Sequence, residues 1–94
     1  MASLRSGQIE VTTAGTAVAG PATPTARRFL LAAHPSNTNP VWVGNDGSDD
    51  VTSGNGFPLE AGGDTVVVEV PRSLADLRFD ADTNGEKVCW LVLL

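Results

Sequence analysis

Apolar and polar positions alternate with a period of two along much of this chain. Over residues 8–13, Ile9 and Val11 fall on one side and Gln8, Glu10 and Thr12 on the other. Over 64–70, Val66, Val68 and Val70 point one way, and Thr65, Val67 and Glu69 the other. Side chains of a strand project to alternate faces, and β-branched residues pack well on a pleated surface, so both segments read as half-buried strands. Residues 28–33, 40–44, 76–81 and 87–94 read as further strands, and 17–19 as a short one. Glycine, proline and asparagine punctuate the intervals at 14–15, 20–21, 35–37, 45–47, 54–56, 61–63 and 84–85. Each such position sets or permits a turn conformation at low cost. Only 71–76 suits a helical turn. The pattern predicts an all-β fold of about seven to eight short strands, a sandwich or a barrel. It forms one domain over residues 1–94, with an N-terminal arm at 1–7 and a proline-containing loop or arm at 20–25.

The final strand departs from simple alternation. Val88, Trp90, Val92 and Leu94 occupy one face, and Cys89, Leu91 and Leu93 the other. A strand apolar on both faces is buried on both, whereas a sheet of a two-layer sandwich has one buried face. The second face therefore calls for cover, from a loop of the same chain or from another subunit. Asn84 and Gly85 would form the tip of a hairpin joining 77–81 to this strand.

Composition narrows the function classes. The chain has 94 residues, 41% of them hydrophobic and 18% charged, which suits a globular domain with one thin core. The net charge of −5 is uneven. Residues 1–43 carry three arginines against Glu10; residues 44–86 carry ten acids against Arg72 and Arg78. Few, scattered arginines on an acidic chain argue against nucleic-acid binding, which needs a basic patch. The apolar run ending the chain is too short to span a bilayer, and residues 1–5 lack the apolar core of a signal peptide. The expectation is a soluble protein made in a cytoplasm, with no membrane partner.

Candidate chemistry is sparse. A single cysteine, Cys89, forms no intramolecular disulfide and reads as a small buried hydrophobe within an apolar run. His34 is the only histidine, too few for a transition-metal site. No serine lies in a G-x-S-x-G turn, and the glycines at 44 and 47 lack the lysine and helix of a phosphate loop. The chain is expected to be no enzyme and to need no cofactor. Asp80, Asp82 and Asn84, followed by Gly85, match the opening D-x-D-x-N-G of a calcium loop. The twelfth position, where that loop needs a bidentate carboxylate, is Leu91. The three residues are thus a weak metal candidate, and the acidic segment 45–50 offers oxygen ligands without evident geometry. Trp42 and Trp90 lie in apolar strands and are expected in the core rather than on a stacking face.

Four stretches in chain order look familiar: 9–18 (IEVTTAGTAV), 35–47 (PSNTNPVWVGNDG), 53–62 (SGNGFPLEAG) and 74–85 (LADLRFDADTNG). Together they resemble small virion proteins that cement or decorate the heads of tailed bacteriophages; similar modules occur in phage fibres and tails. The resemblance implies a small antiparallel β-sandwich of jelly-roll or related type, a homo-oligomer (a dimer or trimer) that binds the major capsid protein on the capsid exterior and stabilises the shell. Residues 20–25 match no part of that pattern. Read as an arm, they make Pro21 and Pro24 candidate contacts, together with Leu4, Arg5, Arg27 and Arg28. The alternatives are a fibre, tail or receptor module that binds a glycan, and a calcium-stabilised domain.

Overall fold

The computed structural model describes residues 6–22, 28–44, 51–52, 54–69 and 73–93. Eight strands follow one another: β1 (Ser6–Val11), β2 (Val18–Ala19), β3 (Arg28–Ala33), β4 (Val41–Gly44), β5 (Phe57–Leu59), β6 (Thr65–Glu69), β7 (Arg78–Ala81) and β8 (Glu86–Leu93). A 3-10 turn at Leu74–Asp76 precedes β7. Its start is fixed by Ser73, whose hydroxyl accepts from Ala75 N, while the Asp76 carboxylate reaches back to Ser73 N.

The strands form two four-stranded sheets, ordered β1-β8-β3-β6 and β2-β7-β4-β5. Every neighbouring pair is antiparallel. The alternation read from sequence points Ile9 and Val11 of β1 inward, and the structure adds Phe29, Leu31 and Ala33 from β3 and Val88, Trp90 and Val92 from β8. The second sheet answers with Val41, Val43, Leu59, Phe79 and Ala81, and these residues form one core with Leu74. Phe29 meets the Trp90 ring edge-on, with centroids 6.4 Å apart and planes at 76°. Trp90 lies across from Gly7 on β1. A β-carbon there would stand 2.8 Å from the indole, so glycine is what lets the ring lie flat against the strand.

The small all-β sandwich is thus the fold, and four details differ from the sequence expectation. First, β1 begins at Ser6, inside the stretch read as an arm; Ser6 pairs with Leu91 and Gly7 with Trp90. Second, β7 and β8 are not a hairpin. β7 lies between β2 and β4 in one sheet, β8 between β1 and β3 in the other, so residues 82–85 cross between the layers. Gly85, with φ 84°, makes that corner and donates its N–H to Val11 O at 2.8 Å. Third, β5 lacks a pattern to announce it: three residues long and containing Pro58, it is tolerated because it is an edge strand. Fourth, Trp42 faces away from the core. Val70, expected inward, lies outside the described residues.

Candidate interaction surface

Polar side chains buried in this fold hold its own loops in place. Asp80 Oδ1 accepts from Gly15 N at 2.9 Å and from Ala81 N at 2.8 Å. Asn84 Oδ1 accepts from Ala14 N at 2.7 Å. Asp82 is exposed. The motif that resembles a calcium loop therefore clamps the turn at Ala14 and Gly15, with two of its three residues, Asp80 and Asn84, accepting from backbone amides. Among the described residues, no group of three or more His, Cys, Asp or Glu side chains is placed to hold a metal ion. The segment 45–50 lies outside the described residues.

A second clamp stands at the start of β8. Glu86 is buried, and its Oε2 accepts from Thr38 N at 3.0 Å and Asn39 N at 2.7 Å. The buried Asn37 side chain accepts from Lys87 N and donates to Lys87 O, both at 2.8 Å, as a strand residue would. Nothing in composition announced these roles; the only sequence signal was an Asn-rich turn ahead of β4. His34 Nδ1 accepts from Ser36 N at 3.0 Å and lies 2.8 Å from Ser36 Oγ, closing the turn at Pro35.

The outer face of the β1-β8-β3-β6 sheet is of another kind. Its register lines up four rows across the strands. Ser6, Leu91, Leu30 and Val67 form one row, and Gln8, Cys89, Ala32 and Thr65 the next. Beyond the first row lie Leu93, Arg28 and Glu69; beyond the second, Glu10 opposite Lys87. The result is an apolar band of Leu91, Leu30 and Val67, with Cys89 and Ala32 beside it between the polar Gln8 and Thr65, flanked on each side by oppositely charged cross-strand neighbours. Val67 is 50% exposed and Leu91 37%, with the half-buried Leu30 between them, so the row presents contiguous apolar side chains on the outer face. Cys89 is half-buried beside this band rather than in the core.

Of the contact candidates, Arg28 opens β3 on this face, exposed and opposite Leu93 and Glu69. Pro21 is exposed on the other sheet's side, just after β2. Gly20 before it is buried against the Leu74 backbone, where no β-carbon fits. Leu4, Arg5, Pro24 and Arg27 lie outside the described residues. The doubly apolar β8 was legible in sequence, but its companions Leu30 and Val67 were not drawn into one surface. Their signal was the same one: unbroken apolar runs at 29–33 and 66–68.

Compared with protein-family models, curated proteins and solved structures, the chain matches none.

Proposed function

We propose that this chain is a structural protein that stabilises a protein shell, a capsid decoration protein in the sense of the sequence resemblance. The observation that supports the reading is the apolar band of Leu91, Leu30 and Val67 on an outer sheet face, with Arg28, Glu69, Glu10 and Lys87 beside it. The band supplies desolvation on docking, and the flanking charges set orientation. A protein that binds only the expanded form of a shell favours that form by mass action. Many copies on a lattice, linked to one another, turn modest contacts into avidity. Binding to the major capsid protein, oligomerisation and a place on the capsid exterior are parts of this proposal. Nothing in it requires catalysis or a cofactor.

The test is to mix the purified chain with expanded empty heads and measure bound copies and the melting temperature of the shell. Saturable binding that raises the melting temperature, and its loss in Leu30→Asp, is the expected outcome. Equal binding to unexpanded and expanded heads, or none, overturns it. The fibre or receptor-binding alternative draws on Phe57, a ring 56% exposed on the edge strand β5. Glycan binding abolished by Phe57→Ala would favour that reading instead.

A further inference from the structure

We infer that two copies of this chain join through their β6 strands, antiparallel and centred on Val67, to make one eight-stranded sheet. The inference does not depend on what the assembled face binds. It starts from the unequal edges of the sandwich. β2 has two residues and β5 has three, one of them Pro58, so neither offers a usable ladder. β1 carries Ser6, Gln8 and the charged Glu10 outward. β6 has five residues, T-V-V-V-E, without proline, glycine or lysine. Edge strands are ordinarily blunted by such residues, because an unpaired edge is a template for another strand.

The backbone of β6 is oriented for pairing. Ala33 N donates to Asp64 O (2.9 Å) and His34 N to Lys87 O (3.1 Å). Odd-numbered residues of β3 therefore face β6, and even-numbered ones face β8. By the same alternation Asp64, Val66 and Val68 face β3, while Thr65, Val67 and Glu69 turn N–H and C=O to the free edge. Among the described residues no strand pairs there. The side chains agree. Val67 is 50% exposed on the outer face, and Val66 and Val68 are only half-buried on the inner one, so β6 is incompletely buried on both sides.

The register selects a second copy as the occupant. A two-fold axis at Val67 places Val67 opposite its counterpart, Val66 opposite Val68, and Thr65 opposite Glu69. Each of the three edge-facing residues then gives and takes a hydrogen bond, and Glu69 sits between its own Arg28 and a threonine hydroxyl. An axis at Val68 sets Glu69 against Val67, and one at Glu69 sets two carboxylates face to face, a destabilising pair. Centred on Val67, the Leu91–Leu30–Val67 row continues without a break into that of the second copy.

Light scattering and sedimentation of the full chain across a concentration series test the pairing. The chain should be a dimer, and Val67→Lys, which opposes two ammonium groups at the axis, should raise the dissociation constant about fivefold with the circular dichroism spectrum unchanged. A cross-link fixes the register independently. In a Cys89→Ser background, Val67→Cys should form an intermolecular disulfide on mild oxidation, since the paired α-carbons lie about 5.5 Å apart. Thr65→Cys should not, because its counterpart lies roughly 14 Å away along the ladder. A monomer at all concentrations, a trimer, a dimer indifferent to Val67→Lys, or equal cross-linking through Thr65→Cys each overturns the inference.

Discussion

On the β2-β7-β4-β5 sheet, Asp80 and Trp42 stand side by side and point away from the core, yet Asp80 is only 5% exposed. The turn at Ala14 and Gly15 sits on it. Val51, buried but apart from the main core, lies with Gly56 against Trp42 and Gly44. On the other sheet Leu91 and Val67 also point away from the core, and no comparable loop lies on them among the described residues. The difference follows from backbone chemistry. A loop carries N–H and C=O groups that need partners once water is excluded. Asp80 and Asn84 supply acceptors for the first turn, and Thr52 supplies them for the second, through Thr52 O to Gly56 N at 2.8 Å and Thr52 Oγ1 to Gly54 N at 3.1 Å. Leucine and valine supply none. An irregular loop laid over the apolar band would find no acceptor there and would have to pair its amides within itself, as the Thr52 turn does. A strand or another protein surface, with its backbone already satisfied, would not need to.

The sharpest way to break the covered face is Gly56→Val. A β-carbon at this position would stand 2.8 Å from both Trp42 Cβ and Val51 Cγ2. The added isopropyl group must lift the turn off the sheet, with an expected cost of about 3 kcal/mol, the upper range for overpacked sites. Urea denaturation measures it, and Trp42 fluorescence should shift toward the exposed value before global unfolding. A loss within 0.5 kcal/mol would mean that the turn is not seated on the sheet.

Removing the acceptor is gentler. Asp80→Ala leaves the amides of Gly15 and Ala81 without their side-chain partner, although Gly15 N keeps a longer bond to Ala81 O at 3.2 Å. The expected loss is about 2 kcal/mol, the usual cost of stranding buried polar groups. Asp80→Asn retains an acceptor oxygen and should lose less than half of that. Hydrogen exchange at Gly15 is the local readout, and unchanged protection there in Asp80→Ala would show that the clamp does not hold the turn.

The same contrast separates what was readable in the sequence from what was not. Period-two alternation set the inward faces of β1 and β6, since a strand's side chains have only two directions to take, whereas β3 and β8, apolar on both faces, left theirs open. Strand β5 and the destination of β7 were illegible. Pairing partners depend on which edges are free in three dimensions, and three residues with a proline carry no usable period. The motif at 80–85 was misleading in one respect and informative in another. It does contain a set of convergent oxygens, but their ligands are the amides of a turn some 65 residues earlier, which no local pattern encodes. The apolar band was half legible. β8 declared two apolar faces on its own, whereas joining Leu30 and Val67 to it required the register of β3 against both neighbours.

The smallest effect on stability is expected on the open face, and it is the most informative one about that face. Leu91→Ser removes a side chain that is 37% exposed in a single copy. Surface substitutions of this kind fall within about 0.5 kcal/mol, whereas Trp90→Ala, one residue away and turned into the core, should cost about 3–5 kcal/mol. The comparison must be made at a dilution where the chain is monomeric, because an oligomer would add its association energy to the apparent stability. Under those conditions the two neighbours should differ by several kcal/mol in the denaturant midpoint extrapolation, and Leu91→Ser should lower the binding of a hydrophobic dye to the native protein. A loss of 2 kcal/mol or more for Leu91→Ser would mean that the face is covered within one chain after all. A negligible loss, with weaker association at higher concentration, would place the work of Leu91 between molecules.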